Sequence, residues 1–299
     1  MLQAAKNDSS VIVVCAATPF AFGFTQDWRQ KLGKQYTDVG IAEEHAVAMA
    51  SGIAKAGGKP IVCICATFLQ RSYDQLLIDL CLNNNPALIL IYSAGLYGMN
   101  DATHIGHFDI QELAHIPNLL YLVPTSTDEY TQMLNWGIQT KSHPVAIRIP
   151  ATLDTFDYRT EIDFKNLHYN IIQKGKDIAV IAMGTMLKTG EKIANEYHKT
   201  TGKTLTLINP LFVSDIDREN LSSLLSDHRL VITIEDGILE GGWGEKIAMY
   251  YSDKDMDVKC YGLKKVFADN YSYADIRFEN KLTAKQILQE IINYINNHV

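Results

Sequence analysis

Two adjacent carboxylates, Glu43 and Glu44, stand where a short predicted strand ending at Gly40 gives way to a helix that places Val47, Ala50 and Ile53 on one apolar face. A carboxyl in a first helical turn complements the positive end of the helix dipole, and by pattern alone that is the common use. A carboxyl so placed can also hand over a proton. His104 is the second candidate, in a glycine-bearing loop (95–106) that follows a predicted strand. An imidazole there could shuttle a proton or donate to a substrate oxygen near neutral pH, although a lone histidine is more often structural. Phe68 ends a third predicted strand, and strand ends are where α/β sites form. It also fits as a core aromatic, and Arg71 after it as a surface salt bridge. Cys63 and Cys65 share one predicted strand, but no second pair with metal-ligand spacing accompanies them.

These residues hang on short β-branched runs alternating with helix-length amphipathic stretches. Runs at 11–16, 60–65, 87–92, 119–123 and 145–149 predict strands, and 43–55, 69–82 and 128–140 predict helices. The period weakens between 151 and 168 and then resumes, with strands at 178–182, 204–208, 229–234 and 258–261 and helices at 186–198, 242–251 and 283–297. Apolar runs separated by helices mean parallel strands buried on both faces. The expected architecture is therefore α/β, with two domains, 1–150 and 169–299, each a mainly parallel sheet flanked by helices, joined by a linker at 151–168. Residues 1–6 fit only the last turn or two of a helix, so the chain reads as the tail of a longer polypeptide or one subunit of a split enzyme.

The composition narrows the classes. The 299 residues are 47% hydrophobic and 20% charged, which is globular and not disordered. A net charge of −7 disfavours a generic nucleic-acid binder. Five cysteines, an odd number, three of them in apolar runs, read as reduced thiols. The uncharged runs 9–26 and 82–100 are broken by Pro19, Pro86, threonines, asparagines and glycines, so neither predicts a membrane span. No basic segment with a cleavage site opens the chain. The expectation is a cytoplasmic protein without nucleic-acid or membrane partners.

Several motifs, in order along nearly the whole chain, resemble one family. The stretch Asp38-Val-Gly-Ile-Ala-Glu-Glu-His-Ala-Val-Ala-Met-Ala-Ser-Gly52 is similar to the glutamate motif of the pyrimidine-binding domain in thiamine-diphosphate enzymes of the transketolase family, closest to the 1-deoxy-D-xylulose-5-phosphate synthase branch. Phe68-Leu-Gln-Arg-Ser-Tyr-Asp-Gln75, Thr103-His104-Ile105-Gly106, Pro117-Asn118, Pro124-Thr125-Ser126 and Glu235-Asp-Gly-Ile-Leu-Glu-Gly-Gly242 fit the same pattern. The resemblance implies thiamine diphosphate as cofactor, with magnesium or another divalent cation. Aligned on Gly52, Glu43 would be the carboxyl that donates to the pyrimidine ring nitrogen, which requires burial enough to keep it protonated. Glu44 would then lie on the helix surface or at an interface. Phe68 would stack on the pyrimidine, and Arg71 would bond near it or to a substrate oxygen. His104 with Asp101 would handle substrate oxygens, with Tyr73 near the substrate. Glu235 and Gly241–Gly242 would mark fold or interface in a second domain whose role is structural.

The departures from the family carry as much weight. The Gly-Asp-Gly of the diphosphate and metal site is absent, and Asp236-Gly237 belongs to the second-domain motif. A partner subunit with Gly-Asp-Gly and a downstream Asn is therefore expected, in a heterotetramer with a dimer of this chain at its core, and no metal ligands are expected here. The loop normally opening Asp-Arg-Ala-Gly reads Tyr92-Ser93-Ala94-Gly95. The aspartate before the histidine is displaced to Asp101, and a second phosphate-binding arginine becomes Ala151. Losing both arginines argues against a phosphorylated acceptor bound in the usual way. His107 and Arg148 are the expected replacements. The expected activity is transfer of a two-carbon ketol or acyl unit to an aldehyde-type acceptor, in specialised sugar or secondary metabolism. Alternatives are a split deoxyxylulose-phosphate synthase, the β subunit of a 2-oxoacid dehydrogenase's decarboxylating component, and a non-catalytic scaffold; retention of Glu43, Phe68 and His104 together opposes the last.

Overall fold

The structure, a computed structural model, describes residues 1–156 and 160–298. In chain order the first half runs α1 (Leu2–Asn7), β1 (Val11–Cys15), α2 (Gln26–Leu32), β2 (Tyr36–Asp38), α3 (Glu43–Lys55), β3 (Lys59–Cys65), β4 (Leu88–Tyr92), α4 (Asp109–Leu113), β5 (Leu120–Leu122), α5 (Thr127–Gln139) and β6 (Val145–Ile149). The second half runs β7 (Asn170–Gln173), β8 (Asp177–Ala182), α6 (Leu187–Thr201), β9 (Thr206–Asn209), α7 (Arg218–Leu224), β10 (His228–Ile238), α8 (Trp243–Tyr251), β11 (Asp257–Leu263), α9 (Tyr273–Glu279) and α10 (Ala284–His298).

Among the described residues the strands form two sheets. The first has the order β2-β1-β3-β4-β6-β5, parallel throughout. Its central strands are buried along almost their whole length, which is why they read as continuous apolar runs. The second has the order β11-β10-β8-β9-β7 and is parallel except at β7, which runs antiparallel to β9. No strand was expected at β7: all four of its residues are half-buried, so Asn170–Gln173 carries neither an apolar run nor an alternation.

The predicted helix at 69–82 is two pieces, a 3₁₀ stretch (Ala66–Ser72) followed by a π-helical stretch (Gln75–Leu82). Side-chain donors take its carbonyls. Asn83 Nδ2 bonds Ile78 O and Asp79 O at 2.9 and 3.1 Å, and Ser51 Oγ of α3 bonds Asp79 O at 2.7 Å. Competition of this kind loosens the regular helical ladder.

The halves are stitched along the β5 edge. Val123 N donates to Leu211 O at 2.7 Å, Val213 N to Tyr121 O at 2.9 Å and Tyr121 N to Ser214 Oγ at 3.1 Å, so the segment 211–214 covers an otherwise open sheet edge. The segment expected as a linker includes residues 157–159, which lie outside the described ones. Its later part packs on α5, where Phe164 stacks on Trp136 at 4.6 Å and Ile162 N donates to Gln132 Oε1. All five cysteines are free, with Cys15, Cys63, Cys65 and Cys81 buried. Among the described residues no helix is long and apolar enough to cross a membrane.

Candidate active site

The site residues gather at the C-terminal ends of β3 and β4 and in the turn between β2 and α3. Gly40 makes that turn with φ +76°, a conformation open to glycine. Glu43 follows as the first residue of α3, whose N-terminus has no side-chain cap. The residue is buried, at 2% exposure. Arg71 Nη1 lies 3.1 Å from Glu43 Oε2, yet that oxygen receives no aligned hydrogen bond. Arg71 Nη2 is 3.9 Å from Glu44 Oε2, and both of these side chains are half-exposed. A buried carboxyl oxygen without a hydrogen-bond partner is costly in a finished core, and it is the group a bound ring nitrogen would satisfy.

Phe68, in the 3₁₀ stretch after β3, is half-buried and meets the His104 ring edge-to-face at 5.6 Å. His104 is held from its other side. Its Nδ1 lies 2.8 Å from Asp101 Oδ1, which also accepts from Thr103 Oγ1 at 2.6 Å and Thr103 N at 3.2 Å. The Thr103 hydroxyl first, and the imidazole second, hold the Asp101 carboxyl below the usual aspartate range. The same Nδ1 lies 2.8 Å from Thr103 Oγ1, so this edge of the ring faces the Asp101–Thr103 pair. The one-residue displacement of Asp101 thus leaves the aspartate in contact with the histidine. Thr67 Oγ1, beside Phe68, donates to Thr103 O at 3.0 Å and ties the two loops.

The loop carrying Asp101 and His104 is closed at its base, where Gly95 N donates to Gly106 O at 2.7 Å. A Cβ at Gly106 would lie 2.2 Å from Ser93 O, and one at Gly95 would lie 2.3 Å from Asp236 Oδ2. Ser93 is itself buried, at φ +60°, and its Oγ accepts from Met99 N at 3.2 Å. The position that the resemblance assigns to a phosphate-binding arginine is therefore an internal brace.

Three expected substrate contacts lie elsewhere. The Tyr73 hydroxyl lies 2.8 Å from His115 Nε2, and the two rings lie 5.9 Å apart. His107 is 1% exposed, with Nε2 3.1 Å from the Tyr271 hydroxyl, and burial pushes its pKa down to about 4. It is therefore neutral and carries no charge for a phosphate. Arg148 is also 1% exposed. Its Nε and Nη2 bond Asp109 at 2.7 and 3.2 Å, and its Nη1 bonds Asp236 Oδ1 at 2.5 Å. Burial would lower this guanidinium's pKa, but Asp109 and Asp236 outweigh it and keep it charged. Its charge is thus spent inside the protein. This corrects the expectation that His107 and Arg148 replace the missing arginines.

Sequence reasoning did not find the partners of these groups. Asp236 of the second half accepts from Thr185 Oγ1 at 2.7 Å as well as from Arg148. Tyr121 donates its hydroxyl to Asp109 Oδ2. Glu235 is buried, and its two oxygens accept from Trp243 N and Gly244 N at 3.1 and 2.9 Å, which caps α8. Burial pushes its pKa up to about 8 against those two bonds. Among the described residues no group of three or more His, Cys, Asp or Glu side chains gathers to hold a metal ion.

Comparison with known proteins gives the family. Residues 1–153 match the transketolase pyrimidine-binding domain and residues 167–287 the transketolase C-terminal domain. The chain belongs to the transketolase family, corresponding to its pyrimidine-binding and C-terminal portion. It is 33% identical over 294 residues to 1-deoxy-D-xylulose-5-phosphate synthase of Clostridium tetani, covering 98% of this chain and 47% of that protein. It is 36% identical over 258 residues to the synthase of Lachnoclostridium phytofermentans, covering 85% and 40%. The chain thus spans less than half the length of these curated relatives. In fold it is similar to a solved structure described as a split-gene transketolase, inactive β4 tetramer, with a TM-score of 0.85, 20% identity, and coverage of 98% of this chain and 94% of that one. It is likewise similar to the transketolase of Campylobacter jejuni, with a TM-score of 0.79, 15% identity, and coverage of 98% and 45%.

Proposed function

We propose that this chain is the pyrimidine-binding subunit of a thiamine-diphosphate-dependent transferase that moves a two-carbon ketol or acyl unit to an aldehyde-type acceptor without a phosphate clamp of the synthase kind. The observation that carries the reading is Glu43 Oε2, buried and without an aligned hydrogen bond, with Arg71 of the stretch that carries Phe68 3.1 Å away and Phe68 in turn against the Asp101–His104 pair. These residues fit the pyrimidine half of the cofactor. Glu43 would hold a proton on Oε2 and donate it in a hydrogen bond to the ring nitrogen, and Phe68 would stack on the ring. When bound, the cofactor supplies an acidic thiazolium carbon that can add to a carbonyl. Asp101 orients the His104 ring so that Nε2 gives or takes a proton at a substrate oxygen, and Arg71 balances the charge of Glu44.

A second subunit with a Gly-Asp-Gly…Asn segment would supply the diphosphate and divalent-cation site. Phe20 and Ile41, at 84% and 74% exposure in the loops after β1 and β2, offer apolar surface on the rim where that subunit would close. The split-gene transketolase similar in fold is the precedent for such an arrangement. The acceptor assignment is supported by Ser93, Ala151, His107 and Arg148, none of which presents a free cation. A split deoxyxylulose-phosphate synthase is the second reading, favoured by the 33–36% identity to those enzymes. A specialised pathway and a cytoplasmic location accompany the first reading.

The test is capture of this chain from its native cell with its partner, followed by mass spectrometry and calorimetry with thiamine diphosphate and magnesium. A partner bearing Gly-Asp-Gly…Asn should co-purify, and the pair should bind the cofactor. Glu43→Gln should lower turnover by about 10²–10⁴-fold, the range for loss of a positioned acid. A purified pair that binds no cofactor would sink the proposal. Turnover of glyceraldehyde 3-phosphate with pyruvate by the pair would favour the second reading.

A further inference from the structure

We infer that the second half of the chain supplies the positioning residues of this site: Asp269, Tyr271 and Tyr273 clasp the loop that carries Asp101 and His104 and set where the imidazole points. The inference rests on the proposed function for the meaning of His104, and on separate geometry for the clasp.

The clasp is the segment leaving the C-terminal end of β11 and entering α9. Asp269 Oδ1 accepts from Ala102 N at 2.9 Å, between Asp101 and Thr103. Tyr271 O accepts from Asn100 Nδ2 at 2.9 Å, and its hydroxyl lies 3.3 and 3.4 Å from Leu96 O and Met99 O while also meeting His107 Nε2. Tyr273 donates its hydroxyl to Gly98 O at 2.7 Å, and its ring crosses Tyr97 at 5.3 Å. Every one of these bonds reaches across more than 160 residues of sequence.

The loop needs such support. Between its glycine-closed base and His104 the loop's amides are held from within by Met99 N to Ser93 Oγ, Thr103 N to Asp101 Oδ1 and His104 N to Asp101 O, and none of these bonds takes the Ala102 amide. Asp101 reaches His104 only if the 101–104 turn keeps its shape, and the Ala102 amide is the middle of that turn. Holding this amide from outside fixes the turn without occupying the Asp101 oxygen that orients the imidazole. Asn270 takes a left-handed backbone (φ +47°), which turns the chain so that Asp269 and Tyr271 both face the loop.

The experiment is backbone hydrogen exchange by mass spectrometry on the full chain alone, with wild type, Asp269→Asn, and the double variant Asp269→Ala/Tyr273→Phe. In the double variant the amides of 96–104 should exchange about tenfold faster or more, while those of β1, β3 and β8 keep wild-type rates. Asp269→Asn retains an oxygen for the Ala102 amide and should preserve protection. The His104 imidazole resonance should shift in the double variant and not in Asp269→Asn. Unchanged exchange at 96–104 in the double variant would overturn the inference. So would faster exchange spread evenly over both sheets, or equal loss of protection in Asp269→Asn. No cofactor takes part in this measurement, so it can fail while cofactor binding by the pair succeeds, and the reverse.

Discussion

At the residue scale the site uses the same chemical groups in two opposite ways. Asp101 and His104 are half-exposed and hydrogen-bonded to each other, so both remain open to solvent. His107, three residues on, is enclosed and neutral. Its folded pKa, about 4, lies below the ordinary histidine value of 6.5, so the unfolded chain binds the extra proton first. The stability this neutral ring contributes is full above about pH 6.5 and is lost as pH falls toward 4. The loss is on the order of 3 kcal/mol at the acid end. Urea denaturation at pH 7 and pH 4.5 should show the drop in wild type and a flatter dependence in His107→Gln. An equal drop in both would assign the acid sensitivity to other groups.

Glycine turns and helix ends decide the element scale. The first helical turn of α3 has no side-chain cap. The N-terminus of α8 is the contrast, since both Glu235 oxygens are spent on its amides. Glu235→Ala should therefore leave two buried N–H groups without acceptors and cost about 1–3 kcal/mol in a urea midpoint measurement. Glu235→Gln keeps one acceptor and should recover part of that loss. Because burial raises this carboxyl to about 8, its contribution is full below the ordinary glutamate range and falls as pH rises through 8, opposite in sign to His107. A Glu235→Ala variant as stable as wild type would show that water serves those amides instead.

Across the whole molecule, a buried ion cluster joins the two halves. Arg148 on β6 binds Asp109 of the first half and Asp236 of the second, directly under the Gly95 end of the site loop. Arg148→Met removes one charge and leaves two buried carboxylates facing each other, which should cost about 3–5 kcal/mol. Adding Asp109→Asn and Asp236→Asn should restore much of it, because the penalty lies in the unpaired charges. Tryptophan-detected denaturation reads both variants. A single variant within about 0.5 kcal/mol of wild type would mean that water or a counter-ion enters the cluster. The cluster and the β5-edge bonds show why the second half bears on the site although it supplies neither Glu43 nor His104.

Much of this was legible in the sequence because it is local. Apolar runs marked nearly every buried parallel strand, since burial on both faces leaves no choice of residue type; among the site candidates Phe68 meets His104, His104 meets Asp101, and Arg71 reaches Glu43. An arginine inside the apolar run Val145–Ile149 is a charge that needs a partner once buried. Its partners could not be read, because Asp109 and Asp236 lie 39 and 88 residues away, the first brought to it by the packing of α4 within the first half and the second by the packing of one half on the other. The half-buried β7, the π-helical stretch and the clasp on the site loop were hidden for the same reason. Periodicity records which face of an element is buried, whereas these features depend on which element buries it. Residue chemistry was set by the chain itself. Whether a given His or Arg is free to act or spent on a neighbour was decided by tertiary structure, because desolvation and charge pairing belong to the assembled interior.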